Sequence, residues 1–163
     1  MARNTYPLVQ ETSTLSADGR SWLRVMVWLP DPVYSRRGVV QLVHGMAEHI
    51  ERYDPFARFL AGLGYVVFGH DHIGHGKSVS SADELGCMPL QGGKDILVAD
   101  VQRAREAAFR ASRETGDLPL FLFGHSWCVP VLPVTRRALQ ALCCAERVIS
   151  LVCFPCLVVR FRV

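Results

Sequence analysis

The stretch "LPLFLFGHSWC" (Leu118 to Cys128) decides how this chain is read. An apolar run ends in Gly124-His125-Ser126-Trp127-Cys128, one residue away from the pattern G-x-S-x-G. In that pattern a strand delivers a serine to a sharp turn before a helix, and the hydroxyl stands exposed at the end of a sheet. The positions two before and two after the serine must be small, because strand and helix pass close together there. Gly124 meets this requirement, whereas Cys128 adds a Cβ and a sulfur. The plainer alternative is a loop serine that caps whatever follows it. The strand-like run in front favours the nucleophile reading.

The residues upstream predict a sheet for that strand to join. "LVQETSTLSADGRSWLRVMVW" reads as a hairpin with Asp18-Gly19 at the turn and Leu23, Val25 and Val27 on one face of the second arm. "GVVQLVHG" (Gly38 to Gly45) is nearly continuously apolar, as in a strand covered on both faces. Asp54-Pro55 fits an N-cap with proline at the first helical position. Phe56, Phe59, Leu60 and Leu63 follow at helical spacing, with Gly62 and Gly64 as stops. "YVVF" (Tyr65 to Phe68) is a second buried strand. Leu97, Val101, Ala104, Ala108 and Ala111 mark the apolar face of a longer helix, with a Glu106–Arg110 pair on another face and Gly116 as its end. A hairpin followed by strand, helix, strand, helix, strand predicts an α/β sheet with parallel central strands. Ligands of such sheets bind outside the carboxyl ends of the strands. "VHG", "FGHDHIGHG" and "FGHSW" all fall there.

Two of those loops admit more than one chemistry. In "HGMAEH" (His44 to His49), a loop after an early strand can supply one backbone N–H of an oxyanion hole, and the residue after the nucleophile the other. By position these are Met46 and Trp127; the plain reading of His-Gly is a turn. In "HDHIGHGKS" (His70 to Ser78), Gly76-Lys77-Ser78 has the end of a P-loop, but Asp71 stands where its first glycine belongs. His70, Asp71, His72 and His75 do not follow a zinc-ligand spacing. The expectation is a structural loop whose polar groups are tied to neighbouring backbone.

Taken together, "HGMAEHIERYDPFARFLAGLGYVVFGHDHIGHGKS", "GGKDILVADVQ" and "LPLFLFGHS" closely resemble the monoacylglycerol lipase family of serine hydrolases, in order and spacing, over about residues 7 to 126. The resemblance implies an α/β-hydrolase fold and cleavage of a fatty acyl ester from glycerol at a membrane surface. It places Ser126 on the nucleophile, the amides of Met46 and Trp127 on the oxyanion donors, and His44-Gly45 on the family's His-Gly motif. Gly124 and His125 fall on the residues before the nucleophile. The family uses no metal or organic cofactor.

The resemblance ends at the serine. All 13 glycines lie at or before Gly124, and five of the six cysteines lie beyond Ser126. The family order on this fold is serine, then aspartate or glutamate, then histidine. Here Glu146 is the one acid after Ser126, and no histidine follows. A βαβ unit takes about 30 residues or more, so residues 127–163 hold at most a helix and a strand. The helix is expected at about 133–147, beginning at Pro133, and an apolar segment at 148–159. That segment reads either as a further parallel strand or as an exposed sticky stretch. Cys153-Phe154-Pro155-Cys156 lacks a second matched pair, and chance explains it. His125 precedes the serine and in an elbow is directed away from it. His44 and His75 share its end of the sheet, and a base from either would need a geometry foreign to this fold.

The expected organisation is therefore residues 1–126 as the N-terminal part of an incomplete α/β-hydrolase domain and 127–163 as a divergent tail. The expected function is that of a disabled lipase-like hydrolase acting on acylglycerols or other small esters. The rivals are a non-catalytic module that self-associates through an exposed sheet edge or adheres to membranes, and an unstable product. A net charge of +3 does not suggest nucleic acid. The first residues lack an apolar leader, and no run reaches the length of a membrane span. A cytoplasmic location with peripheral membrane contact follows as the expectation.

Overall fold

A computed structural model describes residues 6–114, 117–125, 148–154 and 159–160, the last two stretches in backbone only. The chain runs β1 (Leu8–Leu15), β2 (Trp22–Leu29), β3 (Gly38–Val43), α1 (Asp54–Gly62), β4 (Tyr65–His70), α2 (Gly93–Ser112), β5 (Leu120–His125), β6 (Val148–Phe154) and β7 (Val159–Arg160). A 3-10 turn at Ile50–Tyr53 leads into α1. The strands form one sheet in the order β1-β2-β4-β3-β5-β6-β7. β4, β3, β5 and β6 pair in parallel, whereas β1, β2 and β7 join antiparallel.

The two faces of the sheet carry separate cores. Toward α2, Val25, Val27, Val39, Val66 and Phe68 pack with Ala104, Ala107 and Ala108. Leu23, Val43 and Leu122 continue that layer with Leu97 and Val101. Toward α1, Met26, Trp28, Val40, Leu42 and Val67 pack with Ile50, Ala57 and Ala61. All six residues of β3 are buried, as expected of a central strand covered on both sides. Two buried polar links lock α2 to the sheet. Gln41 Nε2 donates to the Val101 carbonyl at 2.7 Å, and Asp100 accepts Ser16 Oγ at 2.8 Å and the Ala17 amide. Burial raises the Asp100 pKa above the ordinary aspartate value.

Several local expectations differ from the structure. Asp54 does not cap α1. Its Oδ1 accepts Trp28 Nε1–H at 2.8 Å and its Oδ2 accepts Arg58 Nε–H at 2.7 Å, so a cross-sheet bond and an i,i+4 pair take both oxygens. The small side chains Ala57 and Ala61 face the core, because α1 lies close on the sheet, while Phe59 stays 62% exposed. Glu106 accepts from Gln102 at 3.2 Å on the same helix face, not from Arg110. Helix α2 stops at Ser112 with Arg113 in the left-handed region (φ 54°), ahead of Gly116, which lies outside the described residues. β5 alternates buried and half-buried residues, because Phe121, Phe123 and His125 face the less covered α1 side. The apolar segment supplies β6 over Val148–Phe154, parallel to β5. The helix expected at about 133–147 and the Cys156 end of the C-x-x-C lie outside the described residues.

Candidate active site

The carboxyl ends of β3, β4 and β5 bring together the three loops that the sequence singled out. Val43 pairs with Gly124, so the loop beginning at His44 borders the end of β5 just before Ser126. Ser126 and Trp127 lie outside the described residues. Met46 sits in the loop after β3 with its side chain 57% exposed. It borders a cavity of about 530 Å³ shared with His75, Leu85 and Met88.

Glu48 organises this end of the sheet, a role that the sequence reading did not assign. Its Oε1 accepts the Tyr53 hydroxyl at 2.7 Å, His125 Nδ1–H at 2.9 Å, and the Gly45 amide. Burial works against its charge, but the bonds from Tyr53, Gly45 and His125 outweigh it and hold the carboxyl below the ordinary glutamate pKa. One carboxylate thus fastens the His-Gly loop to the residue before the candidate nucleophile. The only signal in the sequence was a single acid inside an otherwise uncharged loop. Next to it, Ala47 adopts φ 59° without being glycine. Such backbone costs energy and persists where surrounding bonds fix it.

His44 is fully committed to structure. Nδ1–H donates to the Gly45 carbonyl at 2.7 Å, and Nε2 accepts the His72 amide at 2.9 Å. Burial lowers its pKa to about 4, so the ring is neutral at pH 7. His72 in turn donates from Nε2 to the His44 carbonyl at 3.1 Å, and His75 Nδ1–H donates to the Ile73 carbonyl at 2.9 Å. His70 is buried, and burial brings its pKa to about 3.

The "HDHIGHGKS" loop is wound around Asp71, which is fully buried. Oδ1 accepts the Ile50 amide at 2.7 Å, Oδ2 accepts the Lys77 amide at 2.9 Å, and the Asp71 carbonyl accepts Ser78 Oγ–H at 2.7 Å. Gly76 passes against this carboxylate at φ +53°, where a Cβ would overlap its oxygens. Arg24 completes the cluster, bonded to Glu11 at 2.9 Å and Glu51 at 2.8 Å and lying 3.6 Å from Asp71. The loop is therefore a structural one, as its sequence suggested. Among the described residues no group of three or more His, Cys, Asp or Glu is arranged to hold a metal ion.

A hairpin feeding parallel strands, crossover helices on both faces, and loops gathered at the strands' carboxyl ends define an α/β-hydrolase fold. This chain holds only part of that fold. Residues 34–128 match the model of the serine aminopeptidase S33 family, more than half of the chain, and the chain belongs to that family. It is 32% identical over 129 residues to a Homo sapiens monoglyceride lipase, covering 76% of this chain and 37% of that protein. It is 36% identical over 104 residues to a monoacylglycerol lipase of Mycolicibacterium smegmatis. The carboxyl esterase structure from Bacillus coagulans, in complex with glycerol, superposes with a TM-score of 0.73 at 26% identity, over 89% of this chain and 43% of that one. The chain spans about a third of the length of the curated relatives it matches. No helix among the described residues is long and apolar enough to cross a membrane.

Proposed function

We propose that these residues form the nucleophile half of a monoacylglycerol lipase-like hydrolase and that the 163-residue polypeptide alone turns over little or no acylglycerol. Ser126 takes the nucleophile position. The amides of Met46 and Trp127 take the oxyanion positions, held by the His44-Gly45 turn. Acylglycerols or other small esters are the substrate class, met by a cytoplasmic chain at a lipid surface.

The single observation that carries the reading is the fate of the six histidines, none of which follows Ser126. His44 has both ring nitrogens engaged with backbone. His70 and His72 are enclosed, His75 Nδ1–H is held by the Ile73 carbonyl, and His49 Nδ1 lies 3.9 Å from Glu51. His125 belongs to Glu48 and adjoins the serine, where an elbow directs the side chain away. A serine without a base is un-ionised near neutral pH and a weak nucleophile. The test is glycerol release from a monoacylglycerol in detergent micelles. The purified polypeptide should match the blank, and glycerol release that vanishes in Ser126→Ala would overturn the reading.

A further inference from the structure

We propose that the Glu48–His125 pair is itself a general base, acting on water rather than on Ser126, toward small activated carboxylic esters. A carboxylate facing Nδ1 requires the proton there, which leaves the Nε2 lone pair as the acceptor. This is the arrangement in which a carboxylate orients an imidazole base. At the same end of the sheet His49 Nδ1 lies 3.9 Å from Glu51 Oε2, beyond hydrogen-bond reach, whereas His125 is within it of Glu48. The ring is also reachable, at 38% exposure, while Glu48 is 10% exposed.

The same face supplies a place for the acyl group. Phe121, Phe123 and His125 alternate outward along β5 on the α1 side. Phe56 stacks 5.2 Å from Phe123, and a groove of about 310 Å³ runs there between α1 and the sheet. Two residues along a strand span about 6–7 Å. The groove's lining reaches Phe123, two residues before His125, so a short acyl chain over Phe123 would set its carbonyl beyond the groove's end, beside His125. Water gives a proton to Nε2 as its oxygen bonds to the carbonyl carbon. The tetrahedral adduct expels the alkoxide or phenoxide and leaves a carboxylic acid. The imidazolium and the acid then lose their protons to solvent.

The idea is independent of the serine, and so is its test. The probe is p-nitrophenyl butyrate, with free imidazole at equal concentration as the baseline. The chain should exceed that baseline by about 10²-fold, the lower end of what a positioned base contributes. Ser126→Ala should retain the excess, and a normal solvent deuterium isotope effect should accompany it. His125→Gln should fall to the baseline. Should that variant not fold, partial carbethoxylation of the native chain, mapped by mass spectrometry, replaces it, and loss of rate should track modification of His125. Glu48→Gln should lower the rate and shift the imidazole nitrogen resonances of His125 away from a pure Nδ1–H tautomer, which a purely structural role would not do. A wild-type rate at the baseline, loss of the excess in Ser126→Ala, or its survival in His125→Gln each overturns the proposal.

Discussion

Replacing Asp71 by asparagine keeps the shape of the side chain and removes what the surrounding loops need from it. Both oxygens are acceptors, toward the Ile50 amide at 2.7 Å and the Lys77 amide at 2.9 Å. An amide side chain offers one oxygen and one NH2. Whichever way it turns, one backbone N–H faces a donor, either that of Ile50 in a buried bond or that of Lys77 in a partly buried one. Leaving a buried donor unsatisfied costs about 1–3 kcal/mol. The remaining bond loses its charge assistance, worth about another 1 kcal/mol. The Arg24 term is smaller, because that guanidinium lies 3.6 Å away and keeps Glu11 and Glu51. The expected loss for Asp71→Asn is therefore about 2–4 kcal/mol, read as a lower urea midpoint at unchanged slope. For a chain of this size each kcal/mol moves the melting temperature by about 2–4 °C. A variant within about 0.5 kcal/mol of wild type, the range of an ordinary surface change, would show that Asp71 does not hold the loop together.

Gly69→Ala should destabilise by about 1–3 kcal/mol, since its Cβ would overlap Ile50 Cδ1 and sit 2.8 Å from the Leu42 carbonyl; pairing it with Ile50→Val should recover part of that loss in urea titrations. His70 buries both ring nitrogens without a hydrogen-bond partner among the described residues, so His70→Leu should raise stability by about 1 kcal/mol, and a loss of stability on calorimetry would contradict the assignment. Burial depresses the folded pKa of His44 to about 4 and of His70 to about 3, below the unfolded value of 6.5. The unfolded chain then binds more protons between these values, so stability is complete above about pH 6.5 and falls as pH drops toward 3. His70→Leu should flatten that slope, and an unchanged slope in pH-dependent urea midpoints would remove His70 from the account.

Much of the fold was legible because the strands carry their burial in their composition. "GVVQLV" and "YVVF" read as central strands, and the Asp18-Gly19 turn set the hairpin register, with Leu23, Val25 and Val27 buried as expected. The Leu97–Ala108 face of α2 was equally plain. The helical spacing of Phe56, Phe59, Leu60 and Leu63 located α1 but did not show which face meets the sheet. Close packing against the sheet selects Ala57 and Ala61, leaving Phe56, Leu60 and Leu63 along the groove and Phe59 exposed. Asp54 looked like a cap, but the indole of Trp28, 26 residues away, claims its oxygen. Periodicity cannot show such a contact.

The candidate site was legible in part. The three loops could be placed from strand order alone, and the structural nature of "HDHIGHGKS" followed from its spacing. Glu48 was not visible, because its partners Gly45, Tyr53 and His125 come from separate segments that only the β3–β5 pairing brings together. The commitment of His44 likewise depends on the amide of His72, 28 residues on. From sequence His44 could be set aside as a base only because that role would need a geometry foreign to this fold. Its bonds make it a brace.

The most direct measurement is the intact mass of the 163-residue chain after incubation with a fluorophosphonate probe. The account expects the unmodified mass throughout, because the proposed function leaves Ser126 without a general base. A stoichiometric adduct that maps to Ser126 would contradict it.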